Sequence, residues 1–219
     1  MKIQEKIEHI LYNIKQIKDS DLFIEYKSYQ EKNVSAENIF ESISGNSGLT
    51  EEYLYSIMLH SGDRKFNVLT GSINVTDTQK TYECYKPKNE TEKINVLQGE
   101  GIHIVRKGKA GAINYLQKGN YTLNDDAYVL VLKKKIDYKI SLKWFTYTYA
   151  HKFKEYSSSS DNGTWNKSGF FEHATFDIPD FEEQIFYLKK FEELETYQNK
   201  LNSLATEIKN VFDIEIIEM

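Results

Sequence analysis

Arg106, Lys107 and Lys109 stand among Gly108, Ala110 and Gly111 in the stretch VRKGKAGAINY, residues 105–115, with Asn114 and Tyr115 close behind. Glycines let a backbone approach a partner closely, and free N–H groups there can meet phosphate oxygens. Basic side chains neutralise phosphates or fork onto guanine. Further on, Gln117 and Asn120 are, like Asn114, amide types that read base edges, Lys118 adds a cation, and Tyr115 and Tyr121 offer flat surface. Together these residues describe binding of a polyanion by a flexible basic loop. The plainer alternative is a basic hairpin turn that merely faces water. A second polar segment, SSSSDNGTWNKSG at 157–169, carries Thr164, Asn166 and Lys167, and can serve the same surface or be an inert loop.

Catalytic arrangements find little support. Methylation of base amino groups needs an Asn/Asp-Pro-Pro-aromatic motif, and the chain has only Pro87 and Pro179. A metal-dependent nuclease wants an Asp and a Glu-x-Lys converging on Mg²⁺. Glu25-Tyr26-Lys27 with Asp21 matches the letters, but Asp21 is too close in sequence, and these read as solvated charges at a junction. GEGIHIVRKGKAG has four glycines but no Walker lysine–serine pair. His9, His60, His103, His151 and His173 lack metal-ligand spacing. Adjacent Asp125 and Asp126 would point to opposite sides of a strand, so a turn role after Asn124 is expected of them. No enzyme activity, cofactor or metal is expected.

Charge supports the binding reading once it is read locally. The chain of 219 residues has a formal net charge of -5. Residues 101–154 nevertheless hold 11 lysines and arginines against 3 acidic residues, a balance of +8. Residues 171–219 hold 4 lysines against 12 acidic residues, a balance of −8. A basic middle beside an acidic tail is an electrostatic footprint for a polyanion, or a segregation by which two parts of the chain attract each other. The single cysteine, Cys84, precludes an internal disulfide. The charged start MKIQEKIEHILYNIKQIKD is no signal peptide, and no window approaches the roughly 18 apolar residues of a membrane span. A cytoplasmic location without membrane contact is expected.

The elements that must position these residues follow from periodicity. Ile3, Ile7, Ile10, Ile14 and Ile17 are separated by 4, 3, 4 and 3, a heptad seam on a helix ending near Asp19. Leu194, Tyr197, Leu201, Leu204, Ile208 and Val211 form a second seam. Its helix starts at IPDFEEQ, with Pro179 as a stop, Asp180 as N-cap and Glu183 as capping-box partner. Between the seams, AENIFESISG (36–45) predicts a short helix. KFNVLTGSI (65–73), GIHIVRK (101–107), GAINYLQ (111–117) and DAYVLVLK (126–133) predict strands, and residues 141–156 a helix. The expected fold is α+β: a mixed α/β domain over 21–176, flanked by coiled-coil-like helices at 1–20 and 177–219.

Four pieces, in order, resemble the specificity (S) subunits of type I restriction–modification systems and the related recognition domains of combined enzymes. NIFESISGNSGLTEEYLY (38–55) is similar to that family's opening helix and glycine-rich turn, and FNVLTGSI (66–73) to a following strand with small residues. GIHIVRKGKAGAINYLQKGNYTLNDDAYVLVLK (101–133) is the most specific piece. It resembles the family's basic Gly-x-Ala-Gly strand pair, with an aromatic, a Gly-x-Tyr turn and Asn-Asp before a hydrophobic strand. FDIPDFEEQIFYLKKFEEL (176–194) resembles the family's Ile-Pro-x-x-x-x-Gln junction into a spacer helix, although Asp180-Phe181 replaces the commoner proline and leucine.

The resemblance implies a non-catalytic target recognition domain lying on double-stranded DNA, with helices acting as a ruler and docking a modification methyltransferase subunit and, in the larger assembly, a restriction subunit. It implies a half-subunit, because a full S subunit has two recognition domains. Arg106, Lys107, Lys109, Asn114 and Tyr115, then Lys118, Asn120 and Tyr121, are the expected DNA contacts. Leu194, Tyr197, Leu201, Leu204 and Ile208 are the expected partner-helix residues, pairing within the chain or across the two-fold axis of a homodimer. Two rival readings stay open: the recognition fragment of a combined nuclease–methyltransferase, and a protein-binding adaptor whose helices are the functional part.

Overall fold

The computed structural model describes residues 9–10, 12, 26–49, 66–71, 81–82, 95–158 and 163–217. In chain order the elements are β1 (Tyr29–Ser35), α1 (Ala36–Ile39), β2 (Phe40–Ser44), β3 (Phe66–Leu69), β4 (Thr81–Tyr82), β5 (Val96–Val105), β6 (Ile113–Leu123), β7 (Ala127–Leu132), α2 (Leu142–Glu155), α3 (Lys167–His173), β8 (Thr175–Pro179) and α4 (Phe181–Ile217). The mixed α/β class expected from the sequence is what the chain adopts.

The main sheet runs β2-β7-β5-β6-β3-β4, with β3 and β6 parallel and the other pairs antiparallel. Strand alternation sorts its side chains to two faces. On β5 and β7, Ile102, Ile104 and Leu130 join one cluster, which includes Trp144, Phe145, Phe153, Phe170 and Phe176 from the helices and β8. Ala127 and Val129 join the other, with Leu69, Leu97, Leu116, Tyr121 and Leu123. A parallel bridge between Asn46 and Asn124, with the Asn46 N–H donating to Leu123 at 2.9 Å, ties the end of β2 to the end of β6. The sheet therefore curls toward closure around the second cluster.

Helix α2 is set by its sequence. The Ser141 hydroxyl accepts the Trp144 N–H at its start, and Lys152 and Lys154 suit the dipole at its end. Leu142, Phe145, Tyr149 and Phe153, spaced three and four apart, are buried. Strands β1 and β8 form a separate antiparallel pair, from Tyr29 opposite Pro179 to Ser35 opposite Thr175. That pairing brings the entry to the domain beside the start of α4, whose 37 residues extend about 55 Å at 1.5 Å per residue.

Three expectations are corrected. The helix expected over 36–45 is one turn, Ala36–Ile39, capped by Ser35; Phe40 turns extended so that Phe40–Ser44 can pair with β7. Cross-strand pairing of FESIS, with buried Phe40 at its head, outweighs the helical reading. The capping box at α4 is not formed. The Asp180 N–H donates to the Ser28 carbonyl (3.2 Å), and the Glu183 carboxylate instead accepts the Lys27 N–H twice at 3.0 Å and the Ser28 N–H at 3.1 Å. Tyr121, expected as exposed flat surface, is only 4% exposed, packs in the second cluster and donates its hydroxyl to the Gln117 carbonyl. Of the N-terminal helix only His9, Ile10 and Tyr12 are described, all helical, with Ile10 and Tyr12 exposed. The rest of that seam, Asp21 with Glu25, and the side chains of Ile208 and Val211 lie outside the described residues.

Candidate nucleic-acid interface

The basic glycine loop is the tight connection between β5 and β6. It is closed by backbone bonds from Val105 to Ala112, Gly111 to Val105 and Ala112 to Lys109. Gly108 and Gly111 take φ of 77° and 76°, the left-handed region where glycine carries no steric penalty. At Gly111 a Cβ would also sit 2.8 Å from the Phe153 carbonyl oxygen, because the turn lies directly on the end of α2.

The two polar segments meet. Lys107 bridges to Thr164, and the Trp165 N–H donates to the Arg106 carbonyl at 2.9 Å. Trp165 is buried, its indole N–H bonded to the Phe153 carbonyl, which fixes Thr164 and Asn166 beside the basic turn. Lys167 follows at the start of α3, its ammonium 3.3 Å from the Ser44 hydroxyl. Tyr128, on the neighbouring strand, lies under two cations: the Arg106 guanidinium 5.7 Å and the Lys167 ammonium 5.1 Å from its ring centroid.

Two carboxylates complete the surface. The turn after Asn124, whose side chain accepts the Asp126 N–H, carries Asp125 and Asp126 against the hairpin. Arg106 Nη1 donates to the Asp125 carboxylate at 2.7 Å and to the Asp125 carbonyl at 2.9 Å. Lys107 Nζ lies 3.5 Å from the second Asp125 oxygen and 3.1 Å from Asp126. The Asp126 hydrogen bond raises the Lys107 pKa above its ordinary value. Asp125 and Asp126 thus have the expected turn role, with an electrostatic role that sequence spacing did not reveal. The available signal was two acids one strand away from two bases; Tyr128 left none.

The remaining expected contacts are placed elsewhere. Asn114 and Tyr115 line a groove of about 400 Å³ between β6, α2 and α4, with Tyr147, Ala150 and Phe191. The Tyr115 hydroxyl donates to Glu100 at 2.9 Å; burial first, then that acid, pushes its pKa up to about 12. Lys118 and Asn120 are exposed, roughly 13 and 20 Å along the strand from Asn114 at about 3.3 Å per residue. The structure therefore gathers Arg106, Lys107 and Lys109 with Thr164, Asn166, Lys167 and Tyr128, and leaves Asn114, Tyr115, Lys118 and Asn120 along the body of the hairpin. On α4, Leu194 and Leu201 are half-buried while Tyr197 and Leu204 are exposed.

No protein-family model matches the sequence, and no curated protein matches it. Solved structures do match. Over 95% of its length the chain is similar to a chain from work on complex assembly and conformational transition of the type I R-M system, with a TM-score of 0.66 and 12% identity. It is likewise similar over 95% of its length to the HsdS subunit from Thermoanaerobacter tengcongensis, with a TM-score of 0.60 and 11% identity. The fold is that of a type I specificity subunit. The chain spans about half the length of these structures, 52% and 51% respectively, so it corresponds to half of the specificity-subunit architecture. Among the described residues, no helix is long and apolar enough to cross a membrane.

Proposed function

We propose that this chain is a non-catalytic DNA sequence-specificity subunit of a restriction–modification system, acting in the cytoplasm, reading one half of a bipartite target and docking a modification methyltransferase subunit. The observation that carries the reading is the specificity-subunit fold extending over 95% of the chain. The surface chemistry supports it. Arg106, Lys107, Lys109 and Lys167 offer charge to phosphates, Thr164 and Asn166 offer donors and acceptors, and the hairpin presenting them is held rigidly by α2 and Trp165. Asn114, Tyr115, Lys118 and Asn120 extend the proposed contact along β6. In this reading Leu194, Tyr197, Leu201, Leu204 and Ile208 carry protein contact, within the chain or with a second copy.

The test is to co-express the chain with a type I modification methyltransferase subunit from its source genome and to map methylated bases across the genome. An interrupted motif that appears only when the chain is present is the expected result. Absence of chain-dependent methylation beside an active modification subunit overturns the reading.

A further inference from the structure

The cations on the proposed DNA face are not equivalent. Arg106 and Lys107 are matched one for one by Asp125 and Asp126, whereas Lys109 and Lys167 form no ion pair among the described residues. The Asp125 carboxylate bridges the pair, one oxygen 2.7 Å from Arg106 and the other 3.5 Å from Lys107. All four side chains are reachable from solvent, with exposures of 28% for Arg106, 50% for Lys107, 53% for Asp125 and 40% for Asp126. These are not buried structural pairs, and exposed pairs of this kind contribute little to folding. Their position gives them another consequence. A phosphate approaching Arg106 or Lys107 meets a carboxylate already in place and must displace it or lie beside a like charge.

We propose that Asp125 and Asp126 are specificity-determining residues of the duplex contact, holding Arg106 and Lys107 in ion pairs that indiscriminate phosphate binding has to break. The inference rests on the DNA-binding reading above. Sequence-independent affinity comes from counterion release, with a slope of about 0.9 in log K against log salt for every phosphate neutralised. With the acids present, Arg106, Lys107, Asp125 and Asp126 sum to zero charge, and non-specific attraction at this turn is left to Lys109 and Lys167. At a cognate site the docked geometry can offer Arg106 a guanine edge or a fixed phosphate that displaces Asp125, while Asp125 and Asp126 can accept from exocyclic amines. Random DNA presents its guanines and phosphates in no fixed register, so the exchange is made less often there. The acids therefore widen the gap between cognate and random binding by lowering the latter.

The experiment measures binding of a random-sequence duplex to the full chain by fluorescence anisotropy over a salt series. Asp125→Asn, Asp126→Asn and the double variant are compared with wild type, with Asp137→Asn as the one-charge control, and with Glu31→Gln/Asp137→Asn, an equal change of two charges away from the basic turn. The double variant is expected to bind random duplex at least about tenfold tighter at 0.1 M salt, with a salt slope steeper by about 1 to 2. On a duplex carrying the motif mapped by methylation, its preference over random DNA is expected to shrink by a similar factor. Asp125→Asn alone spares the Asp126 ion pair and is expected to give an intermediate slope; thermal unfolding confirms that each variant is folded. A double variant whose slope and affinity equal those of Glu31→Gln/Asp137→Asn overturns this inference while leaving the DNA-binding reading standing. A folded wild type that binds no duplex at low salt overturns both.

Discussion

The side-chain oxygen of Gln184 accepts the backbone N–H of Ser141 at 2.8 Å, joining the first turn of α4 to the residue that caps α2. Gln184 is fully buried, and its amide nitrogen donates to the Lys139 and Pro179 carbonyls at 2.8 and 2.9 Å. Gln30 reaches the same two carbonyls from β1, each at 2.9 Å, and accepts the Lys139 N–H. Two glutamines thus clamp the place where β1, β8, α2 and α4 converge. This gives a physical reason for a glutamine at the end of the Ile-Pro-x-x-x-x-Gln junction.

Replacing Gln184 by Leu leaves the part-buried Ser141 N–H without its acceptor, while Gln30 still serves both carbonyls. The expected loss is about 1–3 kcal/mol, the cost of one unsatisfied buried group. Gln30→Ala combined with Gln184→Leu is expected to cost more than the sum of the single changes, because only then do the carbonyls lose both donors. Urea unfolding of the four proteins measures the coupling. Strict additivity would refute the clamp.

Gly111 and Gly108 share a left-handed φ but differ in surroundings. An alanine at either carries the strain of that conformation, roughly 1–2 kcal/mol. At Gly111 the added Cβ also collides with backbone, 2.8 Å from the Phe153 oxygen and 3.0 Å from the Lys154 Cα, while at Gly108 nothing lies within 4 Å. Gly111→Ala is therefore expected to lower Tm clearly more than Gly108→Ala. Equal losses would mean that contact with α2 does not hold the turn.

How much of this was legible in the sequence follows from what each element depends on. Helix α2 was readable because its cap and its apolar spacing lie within one continuous segment. The strands were readable as runs, but their ends were not: β6 extends to Leu123 because β5 and β3 lie alongside it, and pairing partners are distant in sequence. FESIS read as helix because its pairing with β7, some 90 residues away, leaves no local mark. At the interface, residue types on the hairpin were visible, but their neighbours were not. The Asp125–Arg106 pair, the Tyr128 ring and the docking of 163–165 all depend on strand order. Tyr121 could not be told from an exposed tyrosine because alternation is broken by the irregularity between Gly99 and Gly101 on its partner strand.

His103 makes the domain sensitive to acid. It lies on β5 with no exposure, Nε2 3.0 Å from the Thr70 carbonyl, and burial pushes its pKa down to about 4. The unfolded chain takes up this proton near pH 6.5, the folded chain only near 4, so the unfolded state binds more protons between those values. Stability from this site is complete above about pH 6.5 and falls as pH drops toward 4, by at most about 3 kcal/mol. His103→Gln is expected to flatten the difference in unfolding free energy between pH 7.5 and pH 5. An unchanged difference would assign the acid sensitivity to other groups.

Arg106→Ala with Lys107→Ala tests the proposed face directly. Both side chains are partly exposed and solvent-screened ion pairs of this kind contribute little to folding, so Tm should barely move. Binding to the methylation-mapped duplex is expected to weaken, and its salt slope to fall by about 1 for each phosphate no longer neutralised. Unchanged affinity at low salt removes these two residues from the interface.

The seam on α4 has a test that separates its two possible arrangements. The helix leans on α2 through buried Phe191, stacked on Tyr147 at 5.5 Å, and through Glu195, which accepts the Tyr147 hydroxyl at 2.6 Å. Beyond that contact Tyr197 is 60% and Leu204 48% exposed, on a helix that continues to Ile217. A glutamate at both Leu201 and Leu204 puts charge into the middle of the seam while leaving the α2 contact intact. If two copies pair there, sedimentation is expected to show the wild type as a dimer and the variant as a monomer with the domain still folded. If the seam pairs within one chain, both proteins sediment as monomers and the variant loses helicity by circular dichroism. A variant matching wild type in both mass and helicity would mean that Leu194, Tyr197, Leu201, Leu204 and Ile208 are an ordinary solvated helix face.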